Sequence, residues 1–174
     1  MTIETERLII RQRTPDDLTA IHTAKMAVKN DLMRWMTWAS EDQFTVDATA
    51  AFIATQHTPG GEWDGLPGFD RENGELAVMC GLREKTPGVY EAGYWVTRPF
   101  LGRGYATEAC RAMMSHAFNV LNANAMVICH FEENENSWRV IEKCGFIFDR
   151  VEKDGAFCHA LQKRVDMWHY ALAR

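Results

Sequence analysis

The segment with the most legible chemistry is Gly102-Arg103-Gly104-Tyr105-Ala106-Thr107. Two glycines let a backbone approach an anion without side chains in the way. The first turn of a following helix adds unpaired N–H groups and the positive end of its dipole. Together these make a cradle for a pyrophosphate. A tight strand-to-helix turn would need the same glycines, and the spacing alone does not separate the two readings. A dinucleotide fingerprint would place a third glycine at position 107, where Thr107 stands. A Walker loop would need Gly-Lys-Ser/Thr, which is absent. Neither NAD nor ATP therefore suits this loop.

A second segment runs from Asn134 through Ser137 to Gly145-Phe146. Asn134 suits the N-cap of a short helix, and Gly145 suits its stop. Ser137 lies one turn on, on the same face. Elsewhere, Glu91 is the best candidate base on the strand Val89 to Val96, against the plainer reading of an edge-strand carboxylate in solvent. Glu75 follows as a weaker one. Cys129 and His130 alternate along a strand, so only one of them can face a given side. Cys129 as an acyl-accepting nucleophile would require ping-pong kinetics.

These residues need elements to hold them. Leu8-Ile9-Ile10-Arg11 reads as a short first strand. Thr14-Pro15-Asp16-Asp17 starts a helix, with Thr14 as cap, Pro15 at the first position and two aspartates at the positive dipole end. Helical pattern continues with breaks to about Gln56, and Thr58-Pro59-Gly60-Gly61 is a loop. Asn73-Gly74 is a hairpin turn before the strand Leu76 to Leu82. Pro87-Gly88 is a turn before Val89 to Val96. A helix spans about Tyr105 to Leu121, burying Ala106, Ala109, Met113, Ala117 and Val120. Ala125 to Phe131 is a strand, Asn134 to Lys143 a short helix, and Phe146 to Arg174 two antiparallel strands. This order gives an α/β fold with a mixed sheet, and residues 1–174 read as one domain.

Composition narrows the classes. The chain has 174 residues, 47% hydrophobic and 25% charged, which argues for a folded globular domain. Its net charge of −5 disfavours a nucleic-acid binder that works through phosphates. No apolar run is long enough for a membrane span, and the N-terminus lacks the order of a signal peptide. The five cysteines are odd in number and form no C-x-x-C pair, so a disulfide framework or zinc ribbon is not expected, nor any metal site. A reducing cytoplasm is the natural location.

Taken together, the two segments resemble the GNAT superfamily of acyl-CoA-dependent N-acyltransferases. Gly102 to Ala109 looks like its pyrophosphate loop. Asn134-x-x-Ser137 with Glu142-Lys143-Cys144-Gly145-Phe146 looks like its second signature. Thr5-Glu6-Arg7-Leu8 and Glu91-Ala92-Gly93-Tyr94-Trp95-Val96 are similar to the RimJ/RimL-like branch, which acetylates amino termini of ribosomal proteins and other amines. The resemblance spans about residues 3 to 172.

It implies a mostly antiparallel bent sheet whose fourth and fifth strands splay apart, flanked by helices. Acetyl-CoA, as co-substrate, would enter the splay. Backbone groups of Trp95, Val96 and Thr97 would pair with pantetheine, and Leu101, Gly102, Arg103, Gly104, Tyr105, Ala106 and Thr107 would hold the pyrophosphate. Asn134 would bind the pantetheine amide or cap its helix. Ser137 would hydrogen-bond the leaving sulfur, since a hydroxyl is a poor acid. An amine would attack the thioester directly, with the oxyanion on an N–H near Val96. Trp35, Met36 and Trp38 fall in the region that lines the acceptor side in relatives, while Asp166 and Tyr170 match a structural C-terminal pattern. Three positions depart from the family: Pro99, with Arg98 beside it, replaces a Gln or Arg; Ile141 replaces a general-acid tyrosine; Cys129 replaces a glutamate. The expected partner is an amine acceptor, either a protein amino terminus or a small molecule, and the expected assembly is a monomer or homodimer. An acyl-CoA-binding sensor without turnover is the alternative.

Overall fold

Thr14 and Asp17 open the first helical region as expected: the Asp17 carboxylate accepts the Thr14 N–H at 2.7 Å and the Arg11 guanidinium at 2.7 Å. The computed structural model describes residues 2–55 and 65–174. The Thr58–Gly61 loop and Gln56 lie outside them. Pro15–Asp17 forms a single 3-10 turn leading into α1 (Leu18–Ala27), followed by α2 (Lys29–Trp35) and α3 (Val46–Ala54). Later in the chain come α4 (Tyr105–Asn119) and α5 (Glu135–Lys143).

Among the described residues eight strands form one sheet. They are β1 (Thr2–Glu4), β2 (Leu8–Arg11), β3 (Leu66–Asp70), β4 (Leu76–Thr86), β5 (Val89–Val96), β6 (Ala125–Phe131), β7 (Ile147–Cys158) and β8 (Lys163–Ala173). Their order is β1-β2-β3-β4-β5-β6-β8-β7. Every neighbouring pair is antiparallel except β5 and β6, which run parallel. Leu8–Arg11 is thus the second strand. Thr2–Glu4 pairs with it at the sheet edge, so the expected splay between strands 4 and 5 falls between β5 and β6.

Alternation along β5 divides the two cores. Tyr90, Ala92, Tyr94 and Val96 pack toward α4 and α5. Trp95 packs on the other face, among Val28, Leu32 and Ile21 from the α1–α2 segment. Ala109, Met113 and Ala117 of α4 are fully buried, as the helical period requires. Val120 departs from that reading: it lies just past the end of α4, where the period no longer applies, and is 62% exposed.

Candidate active site

Strands β5 and β6 pair only at Val89–Ala125, Tyr90–Met126 and Glu91–Val127. Beyond Glu91 they diverge, while β5 stays paired to β4 as far as Val96 and β6 to β8 as far as Phe131. The gap is a feature of the backbone. Thr97 N–H donates to the Ala77 carbonyl at 3.0 Å, continuing the β4–β5 register. Ladder bonds alternate along an antiparallel strand. Trp95 therefore points its N–H and C=O at β4, and Ala92, Tyr94 and Val96 point theirs into the gap.

This corrects two expected contacts. Of Trp95, Val96 and Thr97, only Val96 presents its backbone to the splay, because alternation turns the other two toward β4. Thr97 is also pinned inward through its hydroxyl, which donates to the Leu76 carbonyl at 2.8 Å, and its carbonyl accepts the Phe100 N–H at 3.0 Å. It anchors the turn that follows.

That turn carries the glycine loop. Gly104 is the N-cap of α4 with φ +87°, and no side chain caps the helix there. A Cβ on Gly104 would stand 3.4 Å from Arg7 Nη2; one on Gly102, φ +72°, would meet nothing within 4 Å. Leu101, Gly102 and Arg103 are exposed, and Ala106 and Thr107 half-buried. The loop thus offers backbone N–H groups at an open helix terminus, the geometry that accepts an anion. Tyr105 is 3% exposed, and its phenol donates to Asp70. Its side chain is an anchor, so any contribution to an anion comes from its N–H.

Arg7 and Glu108 hold the loop from behind. Glu108 accepts from the Thr5 hydroxyl at 2.6 Å, the Arg7 N–H at 2.8 Å and Arg7 Nε at 2.7 Å. Arg7 Nη1 then donates to the Arg103 carbonyl at 2.9 Å, and the guanidinium lies 4.3 Å over the Tyr105 ring. A groove of about 820 Å³ opens beside this network, between β1 and the outer face of α4, and reaches Gly104 and Thr107. Arg98 is committed elsewhere, donating to the Ala27 carbonyl at 2.7 Å on the opposite face.

Two side-chain bonds cross the splay, one on each face of the sheet. On the α4–α5 face, the Tyr94 hydroxyl is 3.1 Å from Ser137 Oγ. Ser137 is in the first turn of α5, where its N–H donates to Asn134 Oδ1 at 3.2 Å; Asn134 is the cap. Burial pushes the Tyr94 phenol well above its ordinary value, so it stays protonated. On the opposite face, Cys129 Sγ is 3.7 Å from Glu91 Oε1. Glu91 Oε2 meets Arg83 at 2.9 Å and Lys85 at 3.2 Å.

Glu91 is therefore neither on an edge nor in solvent. It is 8% exposed on an interior strand, at the last paired position before the splay. Arg83 and Lys85 of β4 hold its carboxylate in place. Burial, then the Glu91 charge, push the Cys129 thiol up to about 12, which removes it as a nucleophile near neutral pH. His130 turns to the α5 face, its ring accepting or donating at 3.2 Å to the Tyr170 hydroxyl, and burial lowers its basicity. Glu75 stays at the Asn73 turn, its N–H on Asn73 Oδ1 at 2.9 Å. Asp166 binds Lys153 and the Asp154 N–H, a structural role. Ile141 is fully buried. Trp35 packs beside Phe131 and Cys129, and Met36 beside Leu32 and Trp95, whereas Trp38 is 41% exposed.

The family model described as an acetyltransferase (GNAT) domain matches residues 7–147. The chain is a GNAT acetyltransferase. Its GNAT relatives include a Bacillus subtilis (strain 168) protein named for ribosomal N-acetylation, YdaF, 27% identical over 173 residues, covering 97% of this chain and 92% of that one. Among solved structures, the GNAT-family acetyltransferase from Bacillus anthracis superposes with a TM-score of 0.84 at 24% identity, covering 99% of this chain and 98% of the other. RimL, the ribosomal L7/L12 alpha-N-protein acetyltransferase solved with coenzyme A, superposes at 0.86 with 18% identity and coverage of 99% and 98%. At these identities the two structures establish a shared fold. The splayed sheet, with the glycine loop at the start of α4, is the GNAT fold.

Sequence reasoning missed Tyr94, Arg7 and Glu108 as parts of this site. The Arg83–Glu91 pair was not legible by counting. From the Pro87-Gly88 turn, plain pairing sets Glu84 opposite Glu91, and a register shift between Glu84 and Thr86 brings Arg83 there instead. Among the described residues no group of three or more His, Cys, Asp or Glu could hold a metal, and no helix is long and apolar enough to cross a membrane.

Proposed function

We propose that this enzyme transfers an acetyl group from acetyl-CoA to a primary amine, and that the acceptor is a protein amino terminus. The observation that carries this reading is the splay: backbone groups of Ala92, Tyr94 and Val96 face a gap that leads toward the open N-terminus of α4. An extended pantetheine chain with two amides fits as an added strand there. Its diphosphate meets the N–H groups of Gly102 to Thr107. The acceptor class rests on relatives such as YdaF, which are named for ribosomal N-acetylation.

The bound thioester supplies an activated acetyl group. The amine forms a C–N bond to its carbonyl carbon, and the C–S bond breaks with its electron pair passing to sulfur. The amine loses one proton to solvent, and the departing thiolate gains one. The Val96 N–H faces the splay and stabilises the developing oxyanion. Ser137 donates a hydrogen bond to the sulfur, where charge grows. Glu91 orients the water that takes the amine proton. Its two ion pairs hold the carboxylate in place, so orientation is its main contribution. Asn134 fixes the first turn of α5 and through it Ser137.

The test is an acceptor screen with acetyl-CoA, reading free thiol released with amino-terminal peptides, polyamines and aminoglycosides. Release with peptides alone is the expected result. Release with small amines alone would move the acceptor class. Acetyl-CoA binding without release for any acceptor would select the sensor reading.

A further inference from the structure

The sheet leaves β5 and β6 unbonded beyond Glu91, yet a phenol bridges the α4–α5 face of that opening. Tyr94 starts on β5 and ends at Ser137 on α5. Its hydroxyl is 3.1 Å from Ser137 Oγ and 3.4 Å from the Ser137 carbonyl. The ring packs in the cluster that holds Cys110, Cys144 and Ile141, so it has little freedom to swing away.

A serine hydroxyl has one hydrogen and rotates to suit its surroundings. Its carbonyl partners in a helix compete for that hydrogen. A serine that donates to sulfur needs a neighbour that supplies a hydrogen bond and does not accept this one. Tyr94 stands where it can supply that bond: its hydroxyl, able to donate or accept, is closer to Ser137 Oγ at 3.1 Å than to the Ser137 carbonyl at 3.4 Å. Its phenol remains protonated because burial opposes ionisation, and the two titratable side chains beside it, Cys110 and Cys144, raise it further.

We propose that Tyr94 is a positioning residue, donating its phenolic hydrogen to Ser137 Oγ so that the Ser137 hydrogen is directed at the CoA sulfur. The family tyrosine is absent at Ile141, and the hydrogen-bond donor instead comes from the strand across the gap. Tyr94 does not give up its proton: its O–H bond persists through the reaction, and the thiolate's proton comes from solvent. This inference rests on the acetyl-CoA reading above.

The test uses coenzyme A itself as probe and does not depend on an acceptor. A hydrogen bond to the charged form of a group favours that form. The thiol of bound CoA, titrated by the ultraviolet absorbance of its thiolate against the CoA-free protein, should therefore ionise at lower pH than free CoA. Tyr94→Phe keeps the ring and removes the donor. It should raise the bound thiol's midpoint by about one unit, a tenfold change in the thiolate fraction. Ser137→Ala should raise it by a similar amount. The double variant should show no further rise, because the two residues act as one unit. With an active acceptor, kcat should fall about tenfold in all three and the KM for acetyl-CoA should hold. Melting temperature and CoA affinity report whether each variant still folds and binds. An unchanged midpoint in Tyr94→Phe that still binds CoA would overturn the proposal and leave the acetyl-CoA reading intact. So would two single shifts that simply add. Failure of the unmutated protein to bind CoA would overturn both.

Discussion

Gly104 offers the sharpest test of where the diphosphate is held. Its φ of +87° lies in the left-handed region, and a Cβ there would point to within 3.4 Å of Arg7 Nη2. An L-residue in that region costs about 1–2 kcal/mol. For a domain of this size that lowers the melting temperature by about 2–8 °C. Gly104→Ala should show this loss without ligand. Acetyl-CoA at 100 times its Kd stabilises the unmutated protein by about 2.7 kcal/mol, or about 5–11 °C. In Gly104→Ala that gain should shrink or vanish, because a methyl group now stands where the anion approaches the backbone. Gly74 supplies the matched control. Its φ is +73°, a Cβ there meets nothing within 4 Å, and it lies in the β3–β4 turn. Gly74→Ala should suffer the same ligand-free loss and retain the full acetyl-CoA gain. The assay is a thermal melt of three proteins with and without acetyl-CoA. A full gain in Gly104→Ala, or a lost one in Gly74→Ala, would refute the reasoning.

Burial works against the Glu108 charge, but the Thr5 hydroxyl and the Arg7 N–H and guanidinium outweigh it and hold the carboxyl below its ordinary range. Its stabilisation is thus present above the unfolded value of about 4.3 and lost as pH falls through the lower folded value. Glu108→Gln should cost about 1.5–3 kcal/mol at neutral pH, and denaturant melts of the two proteins should converge in acid; a constant gap across pH would contradict this. Glu91→Gln should lower kcat by at least tenfold near neutral pH and less at high pH, where the amine is already neutral. A pH–rate profile identical to that of the unmutated enzyme would eliminate Glu91. With the Cys129 thiol held up to about 12, initial-rate plots should intersect and mass spectrometry should find no acetylated enzyme. A stable adduct on Cys129 would restore the ping-pong route.

Much of this was legible in residue order. Val89–Val96 and Ala125–Phe131 are strands with the bounds that alternation and flanking turns predict. The 3-10 turn that leads into α1 follows from Thr14 and Asp17, and the capped start of α5 from Asn134. What escaped had weak or misleading local signals. β1 is three residues long at a sheet edge, and β3 contains Pro67 and Gly68, both poor strand formers. Gly68 is there because a Cβ would stand 2.7 Å from Val78, a constraint set by another strand. Tyr94 reads locally as an apolar strand residue, and its partner is 43 positions away. A resemblance names a segment, whereas strand alternation decides which of its amides face the gap, and it turns those of Trp95 and Thr97 toward β4.

The short β5–β6 pairing also has a mechanical consequence. Three residue pairs join the β1–β5 plate to the β6–β8 plate, so the sheet itself resists opening only at one end, like a hinge. Stiffness at the open end must come from the helices laid across it. Arg111 of α4 donates to the Lys143 carbonyl at the end of α5 at 2.8 Å, and Cys144 approaches the Thr107 carbonyl at 3.9 Å. These contacts touch no reacting atom, yet they brace the two plates at the loop end of the gap. The α4–α5 joint thus ties the two plates together where the sheet itself does not.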